Sequence, residues 1–112
     1  MKWPWLKRKW RVMGQMVGVK LGIRLGADPD GSKVLGHCNA ATNAIEIDRD
    51  LSEIAALEIF WHEMFHIFED AAGCDWEERD IKLLARMFSG LWADNAPAML
   101  DIAKWMYGRA GK

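Results

Sequence analysis

The spacing of apolar residues changes from a period of two to helical spacing along this chain. At residues 12–25 the apolar positions recur at every second residue, which predicts a strand with one buried side. Glycine recurs at every fourth position from Gly14 to Gly26, so we expect a bulge or a bend in this strand. Residues 34–39 and Ala44–Asp48 are two further short strands, and the turn between them predicts a hairpin.

Apolar residues at spacings of three and four follow Leu51 and predict the central helix of the fold. Ser52 is a suitable N-cap, and Gly73 can adopt the left-handed conformation that ends a helix. Because the apolar arc is wide, we expect this helix to be largely buried. Its apolar residues are Ile54, Leu57, Phe60, Trp61, Met64, Phe65, Ile67 and Phe68.

Two shorter helices are expected after the central one. The second helix should begin near Glu77, with Asp75 as its N-cap, and a break at residues 93–97 should separate it from the third. Asp94 or Asn95 would cap that third helix. The apolar stripes of the two helices are Ile81, Leu84, Ala85, Phe88 and Leu91, then Met99, Leu100, Ile102, Ala103 and Met106.

These elements predict an α+β fold. A small, twisted, antiparallel-rich sheet of about three strands should pack on the central helix, with two further helices after it. The 112 residues suffice for one core and are too few for two, so residues 1–112 should form a single domain.

Charge and hydropathy exclude several classes of function. The net charge of −1 argues against a general nucleic-acid binder, and no apolar run reaches the roughly 18 residues of a membrane span. The basic N-terminus lacks the apolar stretch of a secretory signal. Cys38 and Cys74 are expected to be reduced thiols in a cytoplasmic protein, although a single bridge between them stays open.

The first eleven residues interleave basic and aromatic side chains, with tryptophan at positions 3, 5 and 10. This pattern is typical of arms that bind single-stranded nucleic acid or a membrane surface. It also fits a first strand whose tryptophans cover an edge of the core while the charges face water, which is the interpretation we favour.

A His-Glu-x-x-His motif lies inside the central helix. His62 and His66 are four residues apart, so both imidazoles lie on one face, about one turn apart, and can occupy two corners of a zinc tetrahedron. Glu63 lies beside the metal but outside the ligand row, where it can take a proton from the metal's water.

A third ligand has to come from elsewhere, because a catalytic zinc has three protein ligands and one open position. Glu69 lies on the metal-facing side of the same helix but would have to fold back past a full turn. Glu77 and Glu78 begin the next helix. Glu78 shares a side with Ile81, Lys82 and Ala85, whereas Glu77 shares one with Ile81 and Leu84, and we favour Glu78 over Glu77. An acidic side chain usually orients a ligating imidazole. Candidates for this role are Glu58, Asp70 and Asp80.

The order of these elements and the segments His62–Glu69 and Glu78–Ala85 resemble the small gluzincin metallopeptidases called minigluzincins, and the ImmA/IrrE-like proteins common in phages and prophages. The resemblance covers residues from about 12 to 100. It implies that His62, His66 and Glu78 bind zinc and that Glu63 is the general base.

The resemblance therefore predicts a zinc metallopeptidase that acts on a peptide or protein substrate, with Tyr107 or His37 steadying the oxyanion. The alternatives are a non-catalytic or latent metal-binding interaction protein of phage or prophage type, and a nucleic-acid or membrane-surface binder that acts through the basic N-terminus. A protein side chain in the fourth zinc position would favour the non-catalytic alternative.

Overall fold

The computed structural model of the chain describes residues 9–22, 34–39 and 43–110. These residues form an α+β fold, as the sequence predicts. The elements in chain order are β1 (Trp10–Val12), β2 (Gln15–Gly22), β3 (Gly36–Asn39), β4 (Ala44–Asp48), α1 (Glu53–Ala72) and α2 (Glu78–Ala110).

The sheet is mixed and has four strands in the order β1-β2-β4-β3, where about three strands were expected. The β1/β2 and β3/β4 pairs are antiparallel, and β2 and β4 run parallel in the middle. The predicted hairpin of β3 and β4 is confirmed, with Cys38 opposite Ile45. Most of the pairing is therefore antiparallel, and β3 is the terminal strand on one side of the described sheet.

The strand expected at residues 12–25 begins later than predicted, because a turn separates Val12 from the rest of it. β1 ends at Val12 and β2 begins at Gln15, so Met13 and Gly14 form a two-residue turn with φ angles of 47° and 86°. Positive φ at both central residues is the signature of the turns that join tight hairpins. The turn could not be predicted from Met13, because a non-glycine residue seldom adopts positive φ. Residues 23–25 lie outside the described part of the chain.

One face of the sheet packs on α1. The side chains of Val17 and Val19 in β2 and of Ile45 and Ile47 in β4 alternate along their strands and are buried. The apolar side of α1 covers them, and Phe60 and Met64 are fully buried there. The full core cluster is Val12, Val17, Val19, Ile45, Ile47, Ala56, Phe60, Trp61, Met64, Ile67 and Ala85.

Both ends of α1 are fixed as the sequence predicts. The Ser52 hydroxyl oxygen accepts a hydrogen bond from the Ala55 N–H at 3.2 Å. Gly73 adopts the left-handed conformation with φ of 70°, and the Cys74 N–H donates to the Glu69 carbonyl at 2.9 Å. This second bond closes a Schellman motif, which turns the chain sharply toward α2.

Aromatic rings fill the space between β1, α1 and α2. The centroid of the Trp10 ring lies 4.9 Å from that of Phe60 and 5.9 Å from that of Trp61, and the Trp61 and Phe88 centroids are 4.4 Å apart. Trp10 thus covers an edge of the core, as the favoured interpretation of the N-terminal tryptophans requires. The tryptophans at positions 3 and 5 lie outside the described residues.

The second helix starts at Glu78, one residue later than expected. Glu77 holds the N-cap place instead of Asp75, because the Glu77 carbonyl accepts the Ile81 N–H at 3.1 Å. The shift leaves Asp75 in the connecting loop and puts Glu78 in the first helical turn.

The expected break at residues 93–97 is a kink within α2 and not a loop. Asn95 has non-helical angles (φ −131°, ψ 28°), and its side-chain amide donates to the Leu91 carbonyl at 3.0 Å. Pro97 is tolerated because it lies in the first turn of the segment that follows. Most side chains beyond the kink are exposed.

Two expectations from the sequence concern membrane crossing and the pairing of the cysteines. Neither helix in the described ranges combines the length and the apolar character that a bilayer crossing requires. Cys38 and Cys74 are both free thiols, so no bridge joins them.

Candidate metal centre

The two histidines of the motif lie side by side on α1. Their Nε2 atoms are 3.2 Å apart, and their ring planes are inclined by 64°. The side chain of His62 is 14% exposed and that of His66 is 33% exposed, so both rings sit at the edge of the core and reach solvent. The helical spacing of the motif therefore brings the two nitrogens together as predicted.

The Glu78 carboxylate closes the group from α2. Its Oε1 lies 2.7 Å from Nε2 of His62, and its Oε2 lies 3.1 Å from Nε2 of His66. Glu77 points elsewhere, with its Oε2 2.9 Å from the Arg79 Nε. Of the two glutamates that the sequence left open, Glu78 is the one that contacts the histidines.

The three contacts fit a small divalent ion. In a zinc tetrahedron with bonds of about 2.0–2.1 Å, two ligand atoms lie about 3.3–3.4 Å apart. The two Nε2 atoms are 3.2 Å apart, and the two Glu78 oxygens lie 2.7 Å from His62 and 3.1 Å from His66, one oxygen to each ring. An ion would spread the closest pair, His62 and Glu78, by about 0.6–0.7 Å, and two imidazoles with one carboxylate are a donor set that zinc accepts.

Glu63 lies next to His62, His66 and Glu78 but is farther from the histidine nitrogens than Glu78 is. Its Oε2 lies 3.8 Å from Nε2 of His62, and ligand atoms of Glu63 and both histidines all lie within 4.8 Å of one another. Burial raises the pKa of the Glu63 carboxyl, while His62 and His66 lower it and the Glu78 charge raises it. The two histidines are nearer to Glu78 than to Glu63, which agrees with Glu78 as ligand and Glu63 as the neighbouring acid.

Glu69 contacts the His66 ring in the manner of an orienting acid, although other acids were expected in this role. Its Oε1 lies 3.2 Å from Nδ1 of His66, the ring nitrogen that faces away from Glu78. Its Oε2 accepts the backbone N–H of Trp76, and that bond lowers the pKa of the Glu69 carboxyl, with a further lowering by His66. Glu69 thereby ties the ligand ring to the α1–α2 loop.

The three acids that were proposed for this orienting role do not contact the histidines in the structure. Glu58 contacts Arg86, Asp80 lies 3.7 Å from Arg79, and Asp70 is exposed at the end of α1. The spacing of Glu69, three residues after His66, is the sequence signal that would have identified it.

His62, Glu63 and Glu78 line a cleft of about 560 Å³ between α1, α2 and the terminal strand β3. His37 lines this cleft from β3, and its Nε2 contacts the Glu46 carboxylate on the neighbouring strand. Tyr107, the other residue expected to steady an oxyanion, is 78% exposed near the end of α2 and is not among the described residues that line the cleft.

The arrangement combines three converging donor atoms, an acid next to them and an open cleft large enough for a segment of peptide. These are the parts that metal-assisted hydrolysis needs. Comparisons of the chain with protein-family models, curated proteins and solved structures find no match.

Proposed function

We propose that this protein is a zinc-dependent metallopeptidase. The convergence of His62, His66 and Glu78 carries the proposal, since their contacts of 2.7–3.2 Å come from two helices and match the size of a zinc site. The two partly buried imidazoles distinguish this group from an ordinary cluster of acidic side chains on the surface. Zinc as the metal, and peptide hydrolysis as the reaction, follow from this donor set and from the acid beside it.

Each side chain around the site has a separate role in hydrolysis. Zinc, when bound, supplies Lewis acidity to a water and to the substrate carbonyl. Glu63 takes the proton of the attacking water and passes it to the leaving amine. His37 lies across the cleft on β3, where it can donate to an oxygen of the bound peptide. Glu69 holds the His66 ring in place from behind.

The terminal strand β3 offers a way to hold an extended substrate. Gly36 and His37 of this strand line the cleft. One edge of β3 pairs with β4, and no strand of the described sheet pairs with its other edge. A peptide added at its other side would gain backbone hydrogen bonds regardless of its sequence. It would lie in the cleft that His62, Glu63 and Glu78 also line.

The proposal extends to family and compartment. A sheet on a helix with His-Glu-x-x-His, followed by a helix whose first turn supplies a glutamate, is the arrangement expected of minigluzincins and of ImmA/IrrE-like proteins. The two unbridged cysteines fit a reducing compartment, so we place the protein in the cytoplasm.

Replacement of Glu63 tests the proposal. We expect the zinc-loaded wild-type protein to cleave a proteome-derived peptide mixture, scored by mass spectrometry, and Glu63→Gln to lower the rate by about 10²–10⁴-fold. Zinc content, measured by elemental analysis, should stay unchanged. Glu58→Gln is the matched control, because Glu58 lines the same cleft but contacts Arg86, and it should keep most of the activity.

Equal cleavage by the wild-type protein and Glu63→Gln would contradict the assignment of the base. A wild-type protein that binds zinc and cleaves nothing would instead support the non-catalytic alternative.

A further inference from the structure

The α2 wall of the metal cleft carries two cations. Lys82 and Arg86 lie one and two helical turns after Glu78, and all three side chains line the cleft. The same two cations also line an adjoining hollow of about 440 Å³, together with Arg79, Asp80 and Leu83. A substrate that leaves the metal centre along α2 therefore passes over basic side chains.

Among the residues that the structure describes, Lys82 differs from the other charged groups of this cleft because it has no ionic partner. The Arg86 Nε lies 3.2 Å from the Glu58 Oε1, Glu78 contacts the histidines, and His37 contacts Glu46. No carboxylate in the described ranges forms an ion pair with Lys82. The wall thus presents one ammonium group that a ligand can pair with.

We propose that Lys82 selects substrates with an acidic residue close to the scissile bond. The inference rests on the proposed peptidase function, because it concerns the same cleft. One helical turn from Glu78 to Lys82 is about 6 Å along the axis, and an extended peptide advances about 3.3 Å per residue. The acidic side chain should therefore lie about two residues from the bond that is cleaved.

The side chains around Lys82 limit how strong the preference for an acidic residue can be. Val34, Leu35 and Ile59 provide apolar walls opposite the cations, so a bound peptide would exclude part of the water around Lys82. The lysine is nevertheless exposed, and exposed ion pairs contribute little. We expect a preference of about 1.5- to fivefold for an acidic over a neutral residue, with loss of the preference when the ammonium group is removed.

The experiment compares peptide libraries that differ at one position only, occupied by Glu, Gln or Lys, with balanced mixtures elsewhere. Each library is tested against the wild-type protein, Lys82→Ala and Lys82→Glu. Lys104→Glu is the matched control, because Lys104 is an exposed lysine of the same helix beyond the kink. Cleavage ratios are measured with zinc-loaded protein, and binding is measured by fluorescence anisotropy with metal-free protein, which needs no turnover.

We expect the wild-type protein and Lys104→Glu to favour the Glu library, Lys82→Ala to treat Glu and Gln alike, and Lys82→Glu to favour the Lys library. The same Glu-to-Gln ratio in the wild-type protein and Lys82→Glu, in both cleavage and binding, would overturn the inference. Cleavage without any charge preference refutes the role of Lys82 and leaves the peptidase standing. A charge preference in binding without any cleavage refutes the peptidase and leaves the role of Lys82 standing.

Discussion

The middle of α1 and the end of α2 are both helical and rich in apolar residues, yet only the first is covered. In α1, Phe60 is 0% exposed and Met64 is 1% exposed, between the sheet and the first part of α2. Beyond the kink at Asn95, Leu100 and Ile102 are each 53% exposed. Helix formation alone therefore does not distinguish the two regions, whereas packing does.

The difference explains where the candidate metal site lies. His62, Glu63 and His66 occupy the rim of the buried segment, so the core packing of their neighbours fixes the direction of each side chain. Glu78 comes from the first turn of α2, close to the Schellman turn that ends α1. The site is thus built where two helices are held together, and the exposed end of α2 contributes no described residue to the cleft.

The largest effect should come from removing a ring from the buried region. Phe60→Ala should lower the free energy of unfolding by about 3–5 kcal/mol, because it leaves a cavity where Phe60 contacts Trp10 and Trp61. Leu100→Ala, at an exposed position, should change it by less than about 0.5 kcal/mol. Urea unfolding of metal-free protein measures both. Similar losses in the two variants would show that the end of α2 is as well packed as α1.

A smaller effect is expected behind the His66 ring. Glu69→Gln should weaken zinc binding by about 10–100-fold, because the orienting carboxylate at Nδ1 loses its charge. Asp70→Asn is the control, since Asp70 is the next residue along the helix and is exposed. Competition with a zinc-chelating dye gives both affinities. Equal affinities for the two variants would remove Glu69 from the centre.

Much of this organisation could be predicted because single residues with strong local preferences determine it. The serine and glycine at the ends of α1 cap it as expected, and the period-two pattern of Ala44–Asp48 identified β4. The motif placed His62 and His66 on one face without any tertiary information. The sequence also favoured Glu78 over Glu77, from its helical side alone.

What could not be predicted depends on tertiary contacts or on unusual backbone angles. The turn at Met13 divides a run that looks continuous, and α2 kinks at Asn95, whose side-chain amide donates to the Leu91 carbonyl. Glu69 was considered as a ligand, since its spacing puts it on the correct side. Its actual contact with Nδ1 of His66 follows from the loop, where the Trp76 N–H holds the same carboxylate.

Zinc titration of four proteins tests the central claim most directly: the wild type, His62→Ala, Glu78→Ala and Glu77→Ala, all followed by calorimetry. We predict about one zinc per wild-type chain and a loss of affinity of at least about 100-fold in His62→Ala and Glu78→Ala. Glu77→Ala should bind as the wild type does, because Glu77 contacts Arg79. Wild-type affinity in Glu78→Ala, or no zinc binding by the wild-type protein, would contradict a centre formed by both helices.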